Sequence, residues 1–300
     1  MSIAAYLVEN NNQKKVCIIV GLGLVGNAIS KHLGFHASAV KVIQHFPTNW
    51  SDSSALIKII ISCLESVKCK NIEIIWSAGS AGFSASEQQM EDEYDFYSKI
   101  IIHLFELYNQ SIIVNLLSSA GGMYENSGYV GDILSISPSR PYAYGKLKQE
   151  LLLIDLGLPH RIYRISTVYG LGGGRVGLVL VLMQNAILNK PTVIHANQNT
   201  LRDYVYCDDV ATTIVSDVLT ENHLDENIKI LASGKATSIN MLLNLIKKIS
   251  KKTIMVSYTA DQTNSRNIVF SSDVIYKKLG ASSLEASVSL LYKKLYSRLM

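Results

Sequence analysis

Short β-branched apolar runs alternate along the chain with windows in which apolar residues recur at helical spacing. Residues 16–20 (VCIIV) are continuously apolar, the pattern of a strand buried on both faces. Further strands are predicted at 40–44, 72–76, 112–117 and 161–165. Helices are predicted at 27–34, where Gly34 would close the first of them, and at 54–67, 87–108 and 142–156. Strands alternating with helices in this way predict an α/β fold, a Rossmann-type doubly wound parallel sheet with helices on both faces. After about residue 170 the alternation loosens, and 171–174 (LGGG) mark a loop. The expected division is a sheet domain formed mainly by 1–170 and a smaller, interleaved C-terminal lobe formed mainly by 171–300. That lobe would draw on 175–190 and on the chain from about 228, with about 200–230 returning to the sheet domain.

Composition narrows the classes without changing that picture. The 300 residues are 48% hydrophobic and 17% charged, with 5 Pro, which suits a buried core and not a disordered chain. The net charge is 28 − 24 = +4 with no basic stripe, so nucleic acid is not expected as a partner. The most apolar run, 176–188, has 13 residues and contains Gln184 and Asn185, whereas a bilayer span needs roughly 20 apolar residues. The opening MSIAAYLVENNNQKK has no basic segment ahead of its apolar stretch and makes a poor signal peptide. No membrane is expected as a partner. Cys17, Cys63, Cys69 and Cys207 include no CxxC pair, and the 7 His residues show no spacing such as HExxH. Neither a disulfide framework nor a metal site is expected, and a reducing cytoplasm fits. The run EQQMEDEYD (87–95) reads as the solvated beginning of a long helix, where carboxylates suit the helix dipole.

The first candidate chemistry lies directly after the buried run. VCIIVGLGLVGNAIS sets Gly21, Gly23 and Gly26 in a GxGxxG pattern between strand and helix. Gly21 permits a tight turn, Gly23 lets backbone approach a pyrophosphate, and Gly26 lets helix and strand pack closely. The helix N-terminus, with about half a positive charge, would face the phosphates. NAD or NADP is therefore expected on Gly21, Gly23, Leu24, Val25 and Gly26. At the end of the second strand, Gln44 and His45 stand where an acidic residue would bind the adenosine ribose or an Arg a 2′-phosphate. The choice between NAD and NADP stays open.

The second lies in SPSRPYAYGKLKQE (137–150). Tyr142 and Lys146, four apart at the start of a predicted helix, leave one face of it. An ammonium beside a phenol favours phenolate and lowers its ordinary pKa of about 10, which suits a general acid or base for a carbonyl or alcohol. Tyr144 and Lys148 form an overlapping copy of the same spacing.

The order of these segments resembles the extended short-chain dehydrogenase/reductase family, the NAD-dependent epimerases, dehydratases and reductases that act on nucleotide sugars. The resemblance runs from the glycine turn through LLSSAGGMYE (116–125), RPYAYGKLKQELLL (140–153), YRISTVYG (163–170) and TLRDYVYCDDVA (200–211). SINMLLNLIKKISKK (238–252) and SRNIVFSSDVIYKKLG (265–280) complete it. The family pattern has Leu after the Lys, Glu four after it, and Gly-Leu-Pro ahead of the next strand. Lys146 meets this through Leu147, Glu150 and Gly157–Pro159, and Lys148 does not. By resemblance, Tyr142 exchanges the proton on a sugar oxygen, while Lys146 lowers its pKa and binds the nicotinamide ribose.

The family's third residue is a Ser or Thr, but the matching position holds Ala120, which leaves Ser119 and then Ser118 as substitutes. Thr167 stands where the family commonly has Asn against the substrate diphosphate, and Arg202 and Arg266 where it clamps that diphosphate. Asp203 and Asp209 are expected to be structural. The activity implied is an NAD(P)-dependent oxidoreductase at carbon 4 of a nucleotide-activated hexose. A 4-keto-sugar reductase in surface-polysaccharide precursor synthesis is preferred, because Gln44, Ala120 and Thr167 depart from what epimerases carry. The alternatives are an NAD-dependent nucleotide-sugar 4-epimerase and a non-catalytic dinucleotide-binding module. A dehydratase is disfavoured, since Gly121 and Gly122 replace its Asp–Glu pair. The expected partners are a nucleotide-sugar substrate and a second copy in a homodimer, with Tyr and Ile over 93–108 forming core or the dimer face.

Overall fold

The apolar run at 16–20 sits inside a seven-stranded sheet, and the rest of the chain is arranged around it. A computed structural model describes residues 2–10, 13–35, 40–47, 52–67, 69, 71–174, 176–220, 227–259, 266–276 and 282–300. The chain opens with β1 (Ser2–Asn10), β2 (Gln13–Val20), α1 (Leu24–Phe35), β3 (Val40–Pro47), α2 (Ser53–Val67), β4 (Asn71–Trp76) and α3 (Glu87–Tyr108). It continues with β5 (Ile112–Ser119), α4 (Ala120–Met123), β6 (Gly128–Val130), α5 (Pro141–Asp155), β7 (His160–Ile165) and β8 (Thr167–Tyr169). Then come α6 (Leu178–Leu188), β9 (Thr192–Ile194), β10 (Leu201–Tyr206), α7 (Cys207–Thr220), β11 (Ile228–Leu231) and β12 (Ala236–Ser238). The last elements are α8 (Ile239–Ser250), β13 (Val256–Tyr258), β14 (Ile268–Phe270) and α9 (Leu284–Leu299).

The sheet order is β11-β7-β5-β4-β2-β1-β3, and from β2 to β11 every pairing is parallel. Successive residues of a strand face opposite sides, and β2 shows the division. Val16, Ile18 and Val20 pack with α2, α3 and α5, while Cys17 and Ile19 pack with α1 and α7. The α1 side of this core continues without a break into α6, α8 and α9, so these helices share their interior with the sheet. The α/β architecture is the one predicted.

Two features differ from expectation. Gly34 does not end α1, which runs on to Phe35. Ile228–Leu231 pairs with β7 in the main sheet. The larger difference is β1, for which the pattern predicts no strand. It pairs antiparallel with β2 from Ile3↔Val20 to Asn10↔Gln13, and antiparallel with β3 on its other side. In the usual doubly wound order, the strand that follows the first helix lies directly beside the glycine-turn strand. Here β1 stands between them, so β3 is one strand spacing, about 4.8 Å, further out. The residues of β1 explain why it was hidden. Ile3, Ala4, Ala5, Tyr6 and Val8 are all buried, with alternate residues feeding the two cores, so no polar alternation marks the strand and its alanines disguise it. The side chains of Gln44 and His45 lie outside the described residues, as does Arg175.

Candidate active site

The carboxyl ends of β2, β4, β5 and β7 meet at a cavity of ≈ 550 Å³, where ligands bind in open α/β sheets. The glycine turn forms one wall. Gly21 has φ +94°, and a Cβ there would stand 2.5 Å from Ala78 Cα. Its N–H donates to Ser2 O at 2.9 Å, so the inserted strand β1 pins the turn. A Cβ on Gly26 would lie 2.0 Å from Gly21 O, whereas one on Gly23 would meet nothing within 4 Å. Two glycines are thus required by the protein's own packing, and the third leaves room for something else. Gly23, Leu24 and Val25 line the cavity at the start of α1, whose first turn holds no acidic side chain. A helix N-terminus of this kind suits a phosphate.

Helix α5 supplies the opposite wall. Pro141 occupies its first turn, a position that tolerates the missing N–H. Tyr142 is half-buried, its ring 5.4 Å from that of Phe83 and its Cδ1 3.5 Å from where a Cβ on Gly122 would stand. Lys146, buried one turn later, donates to Glu93 Oε1 and to Gln149 Oε1, each at 3.0 Å. Both Tyr142 and Lys146 line the cavity. The overlapping pair does not: Tyr144 is 51% exposed, and Lys148 pairs with Glu91 at the surface.

Ser118 and Ser119 also line the cavity and are told apart by their protons. Ser118 donates its proton to Glu150 Oε1, and Glu150 is in turn held by Arg164 Nη2 at 2.7 Å. Ser119 Oγ accepts from Gly122 N at 3.1 Å, which leaves its hydroxyl proton to donate. Ala120, at the family's hydroxyl position, is fully buried.

The expected diphosphate contacts are not brought together with this set. Among the described residues, Thr167, Arg202 and Arg266 do not line the cavity. Arg202 donates to Leu201 O at 3.0 Å and to the carbonyl of Arg266, and burial lowers its guanidinium from the usual value. Asp203 accepts from Ser166, Ser233 and the Lys235 N–H, and Asp209 accepts from Ser282, which are structural roles.

The pattern also predicts a solvated 87–95, and Glu93 contradicts it. Its side chain is buried, its Oε1 bonded to Lys146 and its Oε2 accepting from Ala81 N at 3.1 Å. The available signal was the helical spacing: Met90, Glu93, Tyr97, Ile100 and Leu104 share the buried face of α3. Phe83 and Gln149 have no motif to announce them.

Among the described residues, no group of three His, Cys, Asp or Glu side chains could hold a metal, and no helix is long and apolar enough to cross a membrane. All four cysteines are free thiols.

A model of the NAD dependent epimerase/dehydratase family matches residues 17–230. A Methanocaldococcus jannaschii protein that provisionally carries the name UDP-glucose 4-epimerase is 30% identical over 156 residues, covering 49% of this chain and 50% of that protein. The chain spans about half the length of the curated relatives it matches. Among solved structures, MoeE5 in complex with UDP-glucose and NAD aligns with a TM-score of 0.77 and 16% identity, over 93% of this chain and 97% of that one. RMD from Pseudomonas aeruginosa, complexed with NADPH, aligns with a TM-score of 0.76 and 16% identity, over 94% and 98%. At these identities the structural likeness speaks for the fold.

Proposed function

The chain belongs to the NAD dependent epimerase/dehydratase family, and from that premise we propose that it is an NAD(P)-dependent oxidoreductase acting at carbon 4 of a nucleotide-activated hexose. The observation that carries this reading is one cavity lined by the glycine turn, Tyr142, Lys146 and Ser119. The cofactor is NAD or NADP. The residues fit it: the turn and the start of α1 would hold the pyrophosphate, and Lys146 keeps one donor beyond Glu93 and Gln149 for a ribose hydroxyl. When bound, the nicotinamide supplies a hydride acceptor or donor. Tyr142 then moves the proton at the sugar oxygen, and Ser119 donates a hydrogen bond to the same oxygen. Arg202 and Arg266, which meet outside the cavity, and Thr167 would hold the substrate diphosphate, and Ser118 would flank the sugar.

Within this class the reading is a 4-keto-sugar reductase that serves surface-polysaccharide precursor synthesis in the cytoplasm. The inserted strand β1 favours it. The end of β3, the usual anchor for the adenosine ribose, stands one strand further from the glycine turn. A weaker anchor suits a cofactor that exchanges at each turnover. The second reading, a nucleotide-sugar 4-epimerase with resident NAD, is favoured by the names of the relatives. A homodimer is supported by Ile102 and Leu107 of α3 and Leu151 and Ile154 of α5, which are exposed on two helices packed side by side.

Native mass spectrometry of the freshly purified protein tests these points together. The expected result is a dimer whose cofactor sites are mostly empty and fill when NADPH or NADH is added. Stoichiometric retained NAD would replace the reductase reading with the epimerase one, and a strict monomer would overturn the dimer.

A further inference from the structure

We propose that Glu93 is a positioning residue for the proton step: it is the counter-ion that aims Lys146 and sets how much of its charge reaches the hydroxyl of Tyr142. This rests on the reading that Tyr142 and Lys146 are the reacting pair. The Glu93 side chain has 0% exposure and sits on the otherwise apolar face of α3. Burying a carboxylate there is costly unless it is paired, and the pair it makes is with a lysine that lines the cavity. Both carboxylate oxygens are fixed, Oε1 by Lys146 Nζ at 3.0 Å and Oε2 by Ala81 N at 3.1 Å. Gly79 lies against the pair, since a Cβ there would be in ordinary contact at 3.4 Å from Glu93 Oε1 and 3.5 Å from Lys146 Nζ.

Two consequences follow from the geometry. An ammonium has three donors, and Glu93 and Gln149 take two, so the direction of the third is set by the wall behind it. The field of a close ion pair also falls off faster than that of a lone cation, so Glu93 tempers the attraction of Lys146 for a phenolate at Tyr142. The other charges around α5 are committed elsewhere. Glu91 on α3 pairs with Lys148, Glu150 pairs with Arg164 of β7, and Arg140 pairs with Glu125. Tyr97 of α3 donates to the carbonyl of Gln149, Ser118 of β5 donates to Glu150, and 77–86 carries no ionisable side chain. Among the described residues, Glu93 is the carboxylate that bonds Lys146.

The test is an ultraviolet difference titration of phenolate absorbance. Subtracting the Tyr142→Phe variant isolates that one phenol among 16 tyrosines. Glu93→Gln keeps an acceptor at Lys146 but removes the charge, and is expected to lower the midpoint by about one pH unit, a tenfold change in phenolate fraction. Glu93→Asp keeps the charge and is expected to stay within a few tenths of a unit of the parent. Gln149→Glu adds a second carboxylate at the same Nζ and is expected to raise the midpoint, which provides an independent arm should Glu93→Gln not fold. A midpoint that is unmoved or raised by Glu93→Gln, or unmoved by Gln149→Glu, overturns the proposal. Failure of the underlying reading looks different: turnover would survive Tyr142→Phe while the midpoints still moved.

Discussion

Tyr142→Phe is expected to lower turnover of a nucleotide sugar by about 10³-fold, within the range for loss of a positioned general acid, while NADH affinity stays within about threefold of the parent. The substitution removes one hydroxyl and leaves the ring against Phe83 and Gly122. Packing and cofactor binding should therefore persist while the proton step fails. Steady-state kcat and NADH fluorescence titration separate the two. The other tyrosines near this wall are poor substitutes. Tyr124 is fully buried, donates to Ile133 O at 2.7 Å and accepts from Arg164 Nη1 at 2.7 Å, and burial pushes its phenol up. Tyr144 points to solvent on the outside of the same helix. Turnover undiminished in Tyr142→Phe would mean that the acid has been misassigned.

The second large effect is expected from Gly26→Ala. The added Cβ would lie 2.0 Å from the carbonyl oxygen of Gly21 and 3.1 Å from Ser77 Oγ, so backbone has to move. The turn has little freedom to do so, because Gly21 is itself at φ +94° against Ala78 and bonded to Ser2. Overpacking of this kind costs about 1–3 kcal/mol, which corresponds to a loss of about 5- to 150-fold in NADH affinity if it falls on the bound form. Gly34→Ala is the matched control. It lies in the same helix, its Cβ would meet nothing within 4 Å, and binding should be unchanged. Equal NADH affinity in the two variants would show that the turn does not cradle the dinucleotide.

The parts of this fold that could be read in the chain are those whose local pattern and tertiary role agree. At 16–26 a run buried on both faces, three glycines and a helix start say one thing at every level, and the close approaches at Gly21 and Gly26 are the contacts that the spacing demands. Helix α3 was legible end to end, with Ser86 capping it through Gln89. Strand β1 was not: Ala4 and Ala5 break its apolar run with residues of low strand preference, and only the pairing with β2 and β3 reveals it. Glu93 was missed because a carboxylate in an acidic stretch looks solvated, and its partner lies 53 residues away on α5. Where the hydroxyls of Ser118 and Ser119 make their hydrogen bonds was not legible either, since it depends on Glu150 and on the Gly122 N–H. The resemblance marks Arg202 and Arg266 but not how they meet, which is through the Arg266 main-chain carbonyl beyond the cavity.

Hydride and proton are expected to reach the same sugar carbon and its oxygen in the cavity between the glycine turn and α5. Following deuterium tests it most directly. The protein is mixed with reduced cofactor deuterated at the transferable position and with uridine- and deoxythymidine-linked 4-keto hexoses, and the sugar is then weighed by mass spectrometry. The expected result is deuterium at carbon 4 of the product with the unaltered protein, and its appearance about 10³-fold more slowly with Tyr142→Phe. Binding of the reduced cofactor with no deuterium reaching any of these sugars would contradict the account and leave a dinucleotide-binding module in its place.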